Sequence, residues 1–444
     1  MTKNSKNEQS FDDRLDNLSE ENCLIIKNEF KKLINYDFAA FLNTCVHCGL
    51  CADTCHYYIV DKNPKNIPAN KLGLINKVFN RYFGLFAKIT PALYGSKVLN
   101  KDMVKEWVDS LFGRCTLCGR CALNCTMGIN IPYIIRAARG ALAAARLVPP
   151  GLQSTVDTAI EKGNNMGIAR EDWLETIEWL EEELQDDVDD PESSLPLDKN
   201  GARLLYTINP REAMFFPLSI SAAGKIFYAA GESWTFSSAN FDVTNYGLYS
   251  GDDNAAGLMS ERLVKSRREL GCEELILAEC GHGFNSNRWE APEWLEKKYG
   301  FPVKSILQVI AEYIKEGKIQ LDASLNKKRV TLHDPCNLVR LGGIVEEQRY
   351  ILKHAVTDFV EMTPNREKNY CCGGGGGQLA MTRYADRRLE TGRLKAEQIK
   401  DTGAKIVVTP CHNCIDQLME LNKHYKLEIE IKTVAEIVAD ALII

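Results

Sequence analysis

The spacing of apolar positions predicts helices in the first half of the chain and alternating strands and helices in the second. Apolar residues recur at helical spacing over residues 24–34 and 74–86, and a third stripe consists of Trp173, Ile177, Leu180 and Leu184. From residue 197 onward, short apolar runs alternate with helical patterns, which is typical of α/β units. The chain is therefore expected to join a helical region to α/β domains.

The second half of the chain also contains an internal repeat. Residues 271–280 parallel residues 403–411, and residues 303–310 parallel residues 431–438. Self-similarity at a fixed period indicates that each copy is one structural unit. We therefore expect two structural twins, which we call the first repeat (residues 197–315) and the second repeat (residues 316–444).

Charge changes the interpretation of two of the predicted helices. Residues 62–101 contain eight Lys or Arg residues and no acidic residue, around the apolar positions Leu74, Ile75, Val78, Phe79, Tyr82, Phe83 and Phe86. This amphipathic helix either docks on a membrane or a membrane subunit, or packs its apolar face on its own domain. Residues 161–192 carry thirteen Asp or Glu residues, which indicates a solvated acidic linker helix.

Composition excludes several classes of protein. The 444 residues are 45% hydrophobic and 26% charged, and the net charge of -6 gives no nucleic-acid signature. The polar N-terminus predicts no secretory signal, and an uninterrupted apolar stretch of about 18 residues is absent from the sequence. We expect a soluble chain of several domains.

Cysteine usage supplies the candidate chemistry. The chain has sixteen cysteines, and thirteen of them fall into three patterned sets, which leaves Cys23, Cys272 and Cys280 outside the pattern. Without an export signal, such patterning indicates metal ligation in a reducing cytoplasm rather than a disulfide scaffold.

Two of these sets have the same spacing, C-x2-C-x2-C-x3-C. The first run is Cys45, Cys48, Cys51 and Cys55, and the second is Cys115, Cys118, Cys121 and Cys125. This is the ligand spacing of bacterial two-cluster ferredoxins, and the regular triple spacing does not suit zinc. The ferredoxin resemblance implies one 4Fe-4S cubane on Cys45, Cys48, Cys51 and Cys125, and another on Cys115, Cys118, Cys121 and Cys55. The residue after each fourth cysteine, usually Pro, is here His56 or Thr126.

The third set surrounds a run of five glycines. It consists of Cys336, Cys371, Cys372, Cys411 and Cys414, and the glycines follow Cys372 directly. A phosphate loop is excluded because no Lys-Ser/Thr pair follows the glycines. Five thiols suit a bulky iron–sulfur cluster to which the backbone must come close, so Gly373 and Gly374 are expected beside it.

The first repeat has lost most of this set. Asn245 and Tyr246 stand opposite Cys371 and Cys372, and Gly283 stands opposite Cys414. Cys280 remains, with His282 two residues later. These two side chains either are packed remnants at the interface of the repeats, or they face the active cluster and supply a proton or a reactive thiol.

The chain resembles the heterodisulfide reductase D-like iron–sulfur proteins, in which two ferredoxin-type runs precede cysteine-rich CCG domains. One degenerate and one intact CCG domain look most like the K subunits of Dsr membrane complexes (DsrK) and their relatives in Tmc complexes (TmcB). The resemblance implies that the five cysteines of the second repeat bind a non-cubane 4Fe-4S cluster that cleaves a disulfide or trisulfide. It also implies electrons from menaquinol through a membrane cytochrome b-type subunit, a small DsrC-like sulfur-carrier partner, and a cytoplasmic position peripheral to the inner face of the cell membrane.

The resulting organisation is a multidomain α+β and α/β protein. We predict an N-terminal extension (1–40), an α-rich two-cluster ferredoxin-like domain (41–148), an acidic helical linker (149–196), a degenerate CCG domain (197–315) and an intact CCG domain (316–444). The alternative function is that of the electron-relay subunit of a glycolate, lactate or glycerol-3-phosphate oxidase. Such enzymes need a separate flavoprotein, and this chain has no convincing G-x-G-x-x-G fingerprint of its own. A third hypothesis treats the CCG half as a docking module.

Overall fold

The computed structural model describes residues 3–84, 89–92 and 95–444, so Phe86 and Lys88 of the predicted basic helix lie outside the described residues. The helices are α1 (Lys3–Asp16), α2 (Glu20–Leu33), α3 (Tyr36–Thr44), α4 (His56–Asp61), α5 (Pro68–Phe83), α6 (Lys101–Trp107), α7 (Arg120–Leu123), α8 (Ile131–Ala144), α9 (Pro150–Lys162), α10 (Arg170–Val188), α11 (Pro210–Phe215), α12 (Pro217–Ala229), α13 (Gly247–Ser250), α14 (Asp253–Glu269), α15 (Gly281–Asn285), α16 (Ala291–Trp294), α17 (Ile306–Glu316), α18 (Cys336–Val339), α19 (Glu347–Ala355), α20 (Ala385–Thr391), α21 (Arg393–Thr402), α22 (His412–Tyr425) and α23 (Val434–Ala441). The strands are β1 (Leu204–Tyr206), β2 (Trp234–Thr235), β3 (Glu274–Leu277), β4 (Val303–Ser305), β5 (Gln320–Leu321), β6 (Val330–Leu332), β7 (Phe359–Glu361), β8 (Ile406–Val408), β9 (Glu430–Lys432) and β10 (Leu442–Ile443).

The chain forms two compact units, and each is assembled from three segments. The first unit comprises Met1–Ser154, Tyr246–Asp253 and Gly373–Leu394. The second comprises Thr155–Asn245, Asn254–Cys372 and Lys395–Ile444. All ten of the strands given above lie in the second unit, so the fold is mixed helical and α/β. The boundaries of the five segments predicted from the sequence remain a prediction.

The N-terminal helices pack within the first unit. Helix α2 lies against α8, and the ring of Phe30 meets the rings of Phe38 and Trp107 edge-on at 5.5 and 5.4 Å. The helix predicted over residues 24–34 is present, but its buried face carries Ile26 and Phe30, whereas Leu24 is 50% exposed. Phe30 belongs to the predicted stripe, whereas Leu24 and Ile25 lie outside the buried face.

The basic helix is α5, and it also packs on its own unit. Ile75, Val78 and Phe79 are buried, and Phe79 contacts the ring of Phe38 at 6.5 Å between centroids. The Tyr82 hydroxyl accepts a hydrogen bond of 3.1 Å from the backbone N–H of Leu99. Of the two alternatives for this helix, the structure supports internal packing, because the three central residues of its apolar face are buried within the first unit.

The second unit contains two four-stranded parallel sheets with the same strand order. One sheet runs β2-β1-β3-β4 and the other β7-β6-β8-β9. Even the helix starts correspond: Ser305 and Thr433 each begin a capping box, before α17 and α23 respectively. The two sheets therefore agree with the internal repeat in the sequence. Helix α10 carries the acidic stretch, and its apolar stripe is buried against α12 in the core of this unit.

Within the described residues, the longest apolar helices fall short of the length and hydrophobicity that a membrane-spanning helix requires.

Candidate iron–sulfur centres

The first cysteine run lies in the first unit, in a tight loop between α3 and α4. Gly49 adopts a positive φ of 86°, which lets the chain turn between Cys48 and Cys51. Burial raises the pKa of Cys51, and the thiols of Cys45, Cys48 and Cys55 raise it further. Mutual electrostatic influence of this kind requires the four sulfur atoms to share one neighbourhood.

Cys55 also lies among the thiols of the second run. Burial raises the pKa of Cys55 and that of Cys121, and the thiols of Cys115 and Cys118 act on both in the same direction. One cavity of the first unit is lined by these four cysteines together, Cys55, Cys115, Cys118 and Cys121. Four thiols around one cavity are the donor set of a 4Fe-4S cluster, and this is the arrangement that a crossed ligand set requires. The ligand assignment itself, including that of Cys125, stays a prediction.

A buried arginine that sequence reasoning missed supports the second run. Arg139 on α8 is fully buried, and its guanidinium donates hydrogen bonds to the carbonyls of Leu111, Cys115, Tyr249 and Gly376 at 2.7–3.1 Å. Burial lowers its pKa to about 10. The side chain therefore joins three segments of the first unit behind Cys115.

Three of the five cysteines of the third set, Cys372, Cys411 and Cys414, are brought together at one edge of the second sheet. Cys336 follows β6, Cys371 and Cys372 follow β7, and Cys411 and Cys414 follow β8. Because β6, β7 and β8 are parallel neighbours, their carboxyl ends meet at the same edge, the usual place for sites in such sheets. All five thiols are buried, and the sulfurs of Cys372 and Cys414 lie 3.5 Å apart.

The electrostatics of this set distinguish Cys411 from Cys414. Hydrogen bonding from Cys414 lowers the pKa of Cys411, and backbone N–H groups, including that of Gly281, act in the same direction against burial. The hydrogen bonds to Cys372 and Cys411 raise the pKa of Cys414 well above its ordinary value. Iron–sulfur ligation requires thiolates, so a bound cluster would displace the protons of Cys411 and Cys414.

His333 belongs to the same site, although the sequence analysis did not select it. One of its ring nitrogens and the sulfurs of Cys372 and Cys414 all lie within 4.8 Å of one another. The side chain is 1% exposed, and neither ring nitrogen has a hydrogen-bond partner among the described residues. Burial lowers its pKa well below the ordinary range, so the imidazole is neutral. A buried imidazole facing two thiols without a partner fits a site built around an additional group.

The loops of the site are held by a buried ion pair. Arg349 donates two hydrogen bonds of 2.8 Å to the carboxylate of Asp334, and both side chains are 1% exposed. The Asn369 side chain donates to the Asp334 carbonyl at 2.5 Å, and Arg340 donates to the Asn369 carbonyl at 2.6 Å. These contacts fix the segment before Cys336 to the segment before Cys371.

The equivalent region of the first repeat is filled by tightly packed protein. A Cβ atom added at Gly283 would lie 2.6 Å from the Val243 carbonyl oxygen and 3.1 Å from the Cys280 sulfur. Cys280 is fully buried, 3.4 Å from the Nδ1 atom of His282. Burial lowers the pKa of His282 to about 3. The segment lies beside Cys411, whose sulfur accepts the N–H of Gly281, but a catalytic role for Cys280 or His282 stays a prediction.

The glycine run serves packing as well as the expected close approach to a cluster. Gly376 has φ +65°, and a Cβ atom there would lie 2.6 Å from the backbone of Thr116, inside the second cysteine run. Both residues belong to the first unit. This contact gives a physical reason for glycine that the sequence analysis did not foresee.

We expect Gly376→Ala to destabilise the first unit more than Gly128→Ala does. Gly128 has nearly the same φ, +68°, but no atom within 4 Å of an added Cβ. Gly128→Ala therefore costs about 1–2 kcal/mol of backbone strain alone, whereas Gly376→Ala adds about 1–3 kcal/mol of overpacking. Urea unfolding followed by iron–sulfur absorbance measures the difference, and equal midpoints would contradict it.

Comparison with known proteins gives two domain matches. The model of the 4Fe-4S dicluster domain matches residues 41–129, and the model of the Cysteine-rich domain (CCG) matches residues 330–419. The chain thus joins an iron–sulfur dicluster domain to a cysteine-rich domain.

Several relatives match most of the chain. An Hdr-like menaquinol oxidoreductase iron–sulfur subunit of Archaeoglobus profundus is 29% identical, covering 95% of this chain and 83% of the relative. Its counterpart in Archaeoglobus fulgidus, subunit 2, is 29% identical over 92% of this chain and 81% of the relative. A dihydromethanophenazine:CoB–CoM heterodisulfide reductase subunit (HdrD) of Methanosarcina barkeri is 29% identical over 90% of this chain and 94% of the relative. The resemblance to heterodisulfide reductase D-like iron–sulfur proteins is confirmed.

Proposed function

We propose that this chain is the disulfide-reducing iron–sulfur subunit of a membrane redox complex that takes electrons from menaquinol. The observation that carries the proposal is the set of five buried thiols, with His333, at one edge of the second sheet. These thiols are additional to the two four-cysteine runs of the first unit, and the cluster that they would hold is the one to which the resemblance assigns disulfide cleavage. The names of the relatives, which describe menaquinol oxidoreductase and heterodisulfide reductase subunits, support the same class of reaction.

The thirteen patterned cysteines divide between three centres in this proposal. Two 4Fe-4S cubanes occupy the first unit, on Cys45, Cys48, Cys51 and Cys125 and on Cys115, Cys118, Cys121 and Cys55. A non-cubane 4Fe-4S cluster occupies the second unit, on Cys336, Cys371, Cys372, Cys411 and Cys414. When bound, these clusters supply one-electron transfer. A quinol gives up two electrons and a disulfide takes up two, so electrons must pass between them in single steps.

The overall reaction balances without a further reactant. Oxidation of one menaquinol to menaquinone releases two electrons and two protons, and cleavage of one disulfide to two thiols consumes both. The proposed partners are a cytochrome b-type membrane subunit, which oxidises the quinol, and a small DsrC-like protein that presents the disulfide or trisulfide on the cytoplasmic side. A trisulfide would need two menaquinols, because its reduction to two thiols and one hydrogen sulfide consumes four electrons and four protons.

The surface of the first unit suits electron arrival at the first cysteine run. Cys48 is exposed, and it is flanked by Val46 and Leu50, which are 63% and 44% exposed. A cluster near the surface and bordered by apolar side chains is suited to contact with a partner subunit. The five thiols of the third set, by contrast, are all buried.

The test is quinol-dependent thiol formation by the anaerobically isolated complex. With a menaquinol analogue and an oxidised DsrC-like protein, we expect two new thiols for each quinol oxidised. The isolated chain, without its membrane subunit, serves as the control and forms thiols only with an artificial reductant. Quinol oxidation that reduces a flavoprotein but forms no thiols would overturn the proposal in favour of an electron-relay subunit.

A further inference from the structure

A buried lysine lies beside the third cysteine set. Lys395, on α21, is fully buried. Its ammonium donates a 2.6 Å hydrogen bond to the Oδ1 atom of Asn369 and lies 3.6 Å from the sulfur of Met362. Asn369 is two residues before Cys371, so the lysine reaches the loop that carries the paired cysteines.

The neutral partners of this ammonium do not account for its burial. Among the residues that the structure describes, no carboxylate forms an ion pair with Lys395. The carboxylate of Asp334 is the nearby candidate, but its two oxygens accept hydrogen bonds of 2.8 Å from Arg349, a guanidinium that Asp334 shares with Glu361. An amide oxygen and a thioether cannot compensate for the dehydration of a full positive charge, which buried ammonium groups normally balance with an anion.

The thiols of the third cysteine set lie close enough to Lys395 to act on its charge. Burial lowers the pKa of Lys395 to about 8, whereas Asp334 and the thiols of Cys372, Cys371 and Cys414 act to raise it. Five thiolates around a 4Fe-4S core leave a net negative charge, and net charge is one of the properties that set the potential of a cluster.

We propose that Lys395 is the fixed positive charge that balances the third cluster and raises its reduction potential. The inference rests on the proposed cluster in the second unit. Lys395 acts on the reaction only through the electrostatic field at the cluster. It is therefore a positioning residue and not a catalytic residue. With this charge in place, an electron donor of modest reducing power, such as a quinol, would be able to reduce the cluster.

The test compares Lys395→Met with Lys395→Arg, and uses Lys400→Met as the matched control. Lys400 is exposed on the same helix. The measurement is a potentiometric titration of the thiol-dependent paramagnetic signal. At the wild-type midpoint potential, Lys395→Met should lower the ratio of reduced to oxidised cluster about tenfold, which corresponds to a midpoint potential lower by about 59 mV for one electron. Lys395→Arg and Lys400→Met should stay close to wild type.

Iron counts separate the possible failures. An unchanged midpoint in Lys395→Met, with about 12 iron atoms per chain as three 4Fe clusters require, would overturn the role of Lys395. Loss of the third cluster in Lys395→Met but not in Lys395→Arg would support the need for positive charge at this position. Loss in both variants would make the lysine a packing residue and overturn the proposal. About 8 iron atoms in the wild-type chain would instead overturn the third cluster itself.

Discussion

Replacing Cys372 with serine is expected to remove the iron of one cluster and abolish disulfide reduction, while the two clusters of the first unit stay reducible. The Cys372 sulfur is buried, lies 3.5 Å from that of Cys414 and faces His333. A serine oxygen is a poor substitute for a soft thiolate on an iron–sulfur cluster. The iron content should fall from about 12 to about 8 atoms per chain, and turnover should fall to the rate without protein.

Cys272→Ser is the matched control for this substitution. Cys272 is also fully buried in the second unit, but it belongs to none of the three patterned sets. Its replacement should leave iron content and turnover unchanged. Loss of the first-unit clusters in Cys372→Ser would show that the two modules do not assemble independently, and an equal loss in Cys272→Ser would remove the special role of the patterned thiols.

Replacing Arg139 with methionine should produce the largest loss of stability in the first unit. The substitution leaves the carbonyls of Leu111, Cys115, Tyr249 and Gly376 without their common donor. It also removes the guanidinium from above the ring of Phe112, where the distance to the ring centre is 4.7 Å. Since each buried polar group left unsatisfied costs about 1–3 kcal/mol, we expect the first unit to lose about 3 kcal/mol or more.

Arg136→Met, one turn earlier on α8, is the control for Arg139→Met. Arg136 pairs with Asp253, whose side chain is 47% exposed, and donates one hydrogen bond of 3.1 Å to the carbonyl of Leu248. Arg136→Met should therefore cost less than Arg139→Met, which leaves four carbonyls without a donor. The measurement is the urea concentration at which iron–sulfur absorbance is lost, together with the helical signal of the protein. Equal midpoints for the two variants would contradict the supporting role of Arg139.

The sequence could predict what depends on local spacing. The two C-x2-C-x2-C-x3-C runs and the pair Cys371 and Cys372 are each recognisable within a few residues of sequence. The internal repeat likewise predicts two related sheets, because matching apolar runs form matching strands. These features require no knowledge of distant contacts.

Other features depend on contacts between distant segments, which spacing does not encode. Arg139 binds the carbonyl of Gly376 across 237 positions in the chain, and on α8 it looked like any other helical arginine. Lys395 and His333 face the cysteine set only after β6, β7 and β8 assemble, and neither has a metal-ligand spacing of its own. The buried face of α2 and the choice between packing and docking for α5 were also decided by tertiary contacts, since periodicity gives a stripe but not its partner.

The measurement that tests the central claim most directly is an anaerobic iron count combined with electron paramagnetic resonance of the oxidised protein, with and without a candidate thiol partner. The account predicts about 12 iron atoms per chain and a signal that appears only with the thiol and is absent in Cys371→Ser. About 8 iron atoms, with signals from reduced cubanes alone in fully assembled protein, would contradict it and place disulfide chemistry on another subunit.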